Sequence, residues 1–110
     1  MLNGLYRVQF STPQGGMGAG VVFAQDGKMY GGDSGIYYLG AYRAANGQMQ
    51  AQVHINRHTY DPNIVSVFGK DQVTIDIVGS YDNQNNVKCT GTSAQAPGVP
   101  FTAELNLLPG

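Results

Sequence analysis

The 110-residue chain carries a formal net charge of −1, with 42% of its residues apolar and 12% charged. That length builds one core and one domain, spanning residues 1–110. The lack of any basic excess speaks against direct nucleic-acid binding, which needs cations to neutralise phosphates, and the single cysteine, Cys89, excludes an internal disulfide scaffold.

Taken in chain order, the dominant signal is alternation with a period of two, the signature of half-buried strands. Leu2, Gly4, Tyr6, Val8 and Phe10 share one face of the first segment, and Asn3, Arg7 and Gln9 share the other. Met17 to Ala24 is apolar or glycine on both faces. Phe23 is assigned inward there, and Gly18 and Gly20 mark a bulge, a bend or a closely packed neighbour. Asp26-Gly27 reads as a tight hairpin turn before Met29.

Ile36 to Tyr42 is again apolar on both faces and carries Tyr37, Tyr38 and Tyr42. Three tyrosines so spaced cannot all face inward, so this strand is a candidate subunit or partner interface. Asn46-Gly47 makes a second hairpin turn. From Gln48 to Asn56 the alternation is cleanest, with Met49, Ala51, Val53 and Ile55 opposed to Gln48, Gln50, Gln52, His54 and Asn56.

The connection from Arg57 to Lys70 contains Asp61-Pro62-Asn63 and then Ile64, Val65, Val67 and Phe68, which suggests a short helical turn near 61–69. Val73, Ile75 and Ile77 restart the alternation, a polar loop from Asp82 to Asn86 follows, and Val87 and Cys89 continue it. After Pro97-Gly98 and Pro100, Phe101, Ala103, Leu105 and Leu107 make the last inward row.

About eight short antiparallel strands must hide their edges, and closure into an up-and-down barrel does so fully. An all-β, eight-stranded antiparallel barrel is therefore the expected fold, with a two-sheet sandwich as the other arrangement the pattern allows. Tyr6, Val8, Phe10, Phe23, Met49, Val53 and Phe101 are the expected interior. An interior of this strand number is wide enough for side chains or one small ligand.

Reactive groups are few. His54 and His58 are four apart, a metal-chelating spacing on a helix, but on a strand they stand about 13 Å apart. Both read as surface polar residues, and no metal or other cofactor is expected. Cys89 falls on an inward position beside Val87 and reads as a buried, inert thiol. Glu104 is the sole glutamate, and Asp76 points outward. Asp33, between Gly31-Gly32 and Ser34-Gly35, reads as part of a shaped turn. No nucleophile, base and stabiliser converge, so no enzymatic activity is expected. Met1 to Phe10 contains no apolar run that could form a signal-peptide core, and no stretch approaches the roughly 18 apolar residues of a membrane span. A cytoplasmic protein without a membrane span is expected.

Gly4-Leu5-Tyr6 at the first strand resembles the opening of calycin-like barrels, with Tyr6 where those place tryptophan. Asp26-Gly27-Lys28-Met29, Gly31-Gly32-Asp33 and an aromatic strand ending at Gly40 resemble the GrlR-like negative regulators of type III secretion. Val53-His54, Tyr60, Pro62 and Ser66-Val67 extend the likeness, which runs from Gly4 to about Val73. The resemblance implies a lipocalin-like barrel, a homodimer, and a regulatory role exercised by binding a transcriptional activator protein. The family's best-known member carries an acidic run after the aromatic strand. Arg43, Ala44, Ala45, Asn46 and Gly47 stand there in this chain, with one base and no acid, the wrong sign for capturing a basic activator. The alternative function is binding of a small hydrophobic ligand or lipid inside the barrel or at its mouth.

Overall fold

Eight strands follow one another along the chain: β1 (Gly4–Ser11), β2 (Met17–Gln25), β3 (Lys28–Gly32), β4 (Ile36–Ala45), β5 (Gln48–Arg57), β6 (Gln72–Ser80), β7 (Asn86–Thr92) and β8 (Phe101–Leu107). The computed structural model describes residues 1, 3–13, 17–60, 71–83 and 85–109. Each strand pairs antiparallel with its neighbour in sequence, and β8 returns to β1 through Tyr6↔Leu107 to Ser11↔Thr102, so the sheet closes. This is the expected up-and-down barrel and not the two-sheet sandwich, and closure leaves no sheet edge for another chain to extend. The helical turn expected near 61–69 lies outside the described residues. No helix among the described residues is long and apolar enough to cross a membrane.

Two dipeptides set the register of half the barrel. Asp26 and Gly27 have φ of 52° and 85°, and Asn46 and Gly47 have φ of 55° and 79°. Positive φ at both central residues is the type I′ condition, which Asn-Gly and Asp-Gly satisfy at least cost. The turns pin Gln25 opposite Lys28 and Ala45 opposite Gln48. Because side chains alternate strictly along a strand, these two pairings decide which residues of β2 and β3, and which of β4 and β5, share a face.

The inner wall is apolar. Tyr6, Val8, Phe10, Met49, Val53 and Phe101 are all buried, as expected, with Tyr6 fully enclosed. Phe23 is the exception: it is 39% exposed, and Val22 and Ala24 are buried in its place. Phe23 therefore belongs to the outer face. Met29 is inward, Ala24 stands opposite it, and the residue between Val22 and Ala24 must point outward. The segment carries no polar residue on either face to reveal this, so only the turn register decides it.

Glycine on β2 makes room for rings from other strands. A Cβ at Gly18 would lie 2.6 Å from Phe10 Cε2, and one at Gly20 would lie 2.7 Å from Tyr38 Oη. The Phe10 ring packs edge-on against Tyr38 at 6.1 Å and stacks with Phe101 at 6.0 Å between centroids. Three aromatic rings thus fill the region that two glycines vacate.

Candidate interaction face

The three tyrosines of β4 separate by parity. Tyr38 is 5% exposed and sits in the core, so its expected place at an interface is corrected. It shares the inner face with Ile36, and its phenol is satisfied there by donating to Asp33 Oδ2 at 2.7 Å. Burial and that carboxylate together push the phenol above the usual tyrosine range. Asp33 also accepts from the backbone N–H groups of Gly35 and Ile36, closing the β3–β4 turn. Tyr42 has the same parity as Tyr38 and packs partly against the core, with its hydroxyl 3.5 Å from Asn3 Oδ1. Only Tyr37 lies on the outer side, half-buried, its ring stacked on His58 at 6.4 Å.

The outer surface of β1–β4 instead carries an apolar row that sequence reasoning did not assemble. Leu5 stands opposite Phe23, Phe23 opposite Tyr30, and Tyr30 opposite Leu39. Their exposures are 43%, 39%, 54% and 42%, and Val21, one outward step from Phe23 on β2, adds 42%. Five large apolar side chains on adjacent strands present on the order of 400 Å² of continuous apolar surface. The signal lies in the Asp26-Gly27 turn. Once Gln25 pairs with Lys28, Phe23 and Tyr30 must stand side by side, and burial of Ala24 and Met29 sets that pair on the outer face.

Cations bracket the row. Arg7 is opposite Val21 on one side of it, Lys28 is opposite Ala41 on the other, and Arg43 lies one outward step beyond Ala41. All three are exposed, and none forms an ion pair among the described residues. Arg43 to Gly47 form the end of β4 and its two-residue turn, not a separate loop.

The histidines have separate partners. His54 Nδ1 is 2.9 Å from Thr74 Oγ1 on the neighbouring strand, whereas His58 Nε2 is 2.9 Å from the Asp33 carbonyl oxygen. No cluster of three or more His, Cys, Asp or Glu able to hold a metal occurs among the described residues. At the end of β5, Arg57 pairs with Asp71 at 2.7 Å, and Tyr60 donates to the same carboxylate. Those two contacts hold the Asp71 carboxyl below the usual range, with the Tyr60 hydrogen bond the larger cause. They tie together the two ends of the connection between β5 and β6.

The barrel interior contains a cavity of about 60 Å³ with a wholly apolar lining that includes Phe10, Tyr38, Met49, Cys89 and Phe101. Drug-sized ligands occupy roughly 300–1,000 Å³. The side chains themselves take up the space that such a ligand would need. Cys89 is buried in this wall, and desolvation pushes its thiol up to about 12. The folded state therefore holds the protonated thiol. Its contribution to stability is complete below the ordinary cysteine value and is lost as pH rises from about 9 towards 12. Native protein is expected to resist a thiol-reactive disulfide reagent at pH 8 and to react fully in denaturant. Comparable rates in the two states would contradict this placement.

No family model matches the chain, and no curated protein matches it. Among solved structures, a redesigned beta barrel is similar, at 14% sequence identity and a TM-score of 0.53, covering 98% of this chain and 92% of that one. That likeness concerns the fold.

Proposed function

We propose that the protein is a non-enzymatic regulator that acts by protein–protein contact through the outer face of β1–β4, in keeping with its resemblance to GrlR-like negative regulators. The exposed row of Leu5, Phe23, Tyr30 and Leu39 carries this reading. An apolar patch on a sheet that is already closed has no further strand among the described residues to cover it, which favours burial by another molecule. With a polar and cationic margin, the patch has the layout of a protein interface, whose apolar centre is ringed by polar groups. A lipid or other hydrophobic ligand finds less support, because the interior offers only about 60 Å³.

A homodimer, which the family resemblance implies, is a second use of the same face, favoured by the near-zero net charge. Light scattering on a sizing column is expected to show only weak self-association of the native chain at low salt, strengthening as salt screens the cations two copies would bring together. Phe23→Ser with Tyr30→Ser should abolish it while leaving the thermal midpoint within a few degrees. Association that survives the double substitution would place the contact elsewhere.

A further inference from the structure

We infer that the partner of the β1–β4 face is an acidic amphipathic polypeptide, with large apolar side chains along its centre and carboxylates along its margins. The inference rests on the protein-contact reading above and adds the chemistry of the occupant.

Charge is distributed unevenly around the barrel. Arg7 and Lys28 stand on opposite sides of the apolar row, and Arg43 follows on the Lys28 side. The acids near this face are engaged in the fold. Asp26, at the hairpin tip, accepts from Asn3 Nδ2 at 3.1 Å, and Asp33 closes its own turn and accepts from Tyr38. The outward acids of the strands lie on β6 and β8, and Glu104 stands opposite Gln9 of β1. Asp76 on β6 accepts from Gln52, and Glu104 on β8 stands opposite Lys88. The cations that flank the apolar row thus form no ion pair among the described residues. Electrostatic complementarity assigns them an anionic partner.

The apolar surface measures on the order of 400 Å², about half of what one side of a standard interface buries. It suits the centre of a contact completed by polar margins, and Gln9, Gln25 and Gln52 supply outward amides there. A second copy would set Arg7 and Lys28 against like charges. An anionic membrane would engage the cations but leave the outward amides without specific partners. The acidic polypeptide uses the apolar row, the cations and the amides together. Its sign is opposite to that of the basic activator expected from the family.

Two synthetic amphipathic helices test the inference. They share one Leu/Phe face and differ only in carrying Glu or Lys on the other. In low salt the Glu peptide is expected to bind at least about tenfold more tightly than the Lys peptide, with affinity falling as salt is added. Arg7→Glu with Lys28→Glu should invert the preference. Phe23→Ser with Tyr30→Ser should weaken both peptides.

Equal affinity for the two peptides, still lost with Phe23 and Tyr30, overturns the acidic partner but leaves the protein-contact face standing. Failure of both peptides at ~1 mM, or binding indifferent to Phe23 and Tyr30, overturns both readings. Tighter binding to phosphatidylcholine–phosphatidylserine vesicles than to the Glu peptide, or a dimer that neither peptide displaces, overturns the polypeptide as occupant.

Discussion

Phe10→Ala is expected to cost about 3–5 kcal/mol of stability, the range for removing a buried aromatic ring. The ring contacts Tyr38 edge-on and Phe101 face-on, and it lies over Gly18, so its loss strips packing from three strands at once. The void would join the existing cavity of about 60 Å³, which Phe10 already lines. The enlarged, wholly apolar space should approach the ~150 Å³ that holds benzene in a dry engineered cavity. Urea unfolding should therefore show a lower midpoint with little change in slope, and benzene should raise the thermal midpoint of the variant but not of the native chain. Gly18→Val should be costly alone and much less so in the Phe10→Ala background, because its side chain would occupy the vacated ring position. A coupling energy of about 0.5–3 kcal/mol is expected for the pair. Strict additivity, or a benzene effect equal in both proteins, would mean that the ring does not fill the space over Gly18.

The second large effect is expected from a single methyl group. A Cβ at Gly31 would fall onto the Val21 carbonyl oxygen and lie 2.7 Å from Val22 Cα. Both obstacles are backbone, so relief requires β2 and β3 to separate rather than a rotamer to change. Gly31→Ala should cost about 3 kcal/mol, at the upper end for inserting volume into a packed interior. Gly98→Ala provides the contrast. Gly98 has φ +78° and nothing within 4 Å of an added methyl, so its substitution carries only the left-handed backbone cost of about 1–2 kcal/mol. Chemical denaturation of the two variants side by side checks the ranking. If Gly98→Ala proves the more damaging, the close approach of β2 and β3 at Gly31 is not real.

The β1–β4 surface connects these interior predictions with function. Rings from Phe10 and Tyr38 occupy the interior above Gly18 and Gly20 of β2. The register of the same strand sets Phe23 on the outer surface, where it joins Leu5, Tyr30 and Leu39. The filled core and the exposed apolar row are two sides of the same strands. Substitutions that disturb the interior of β2 should therefore also disturb the contact face, whereas Phe23→Ser should affect the face alone.

Period-two alternation is enough to define the strands and the expected barrel, because on a polar-and-apolar strand each residue declares its own face. Gln48 to Asn56 shows this best, and every apolar residue there from Met49 to Ile55 lies on the inner side. The hairpin dipeptides are equally legible, since positive φ at two successive residues selects Asp-Gly and Asn-Gly. The pattern gives no answer where both faces are apolar. Over Met17 to Ala24 and Ile36 to Tyr42, composition cannot tell inside from outside, and Phe23 and Tyr38 accordingly occupy the sides opposite to those expected. Their faces follow from pairing across the barrel, with Ala24 set opposite Met29 and the Tyr38 hydroxyl finding Asp33. Alternation is a local property that a strand carries in its own residues. Registration is a relation between strands, and only the closed sheet decides it.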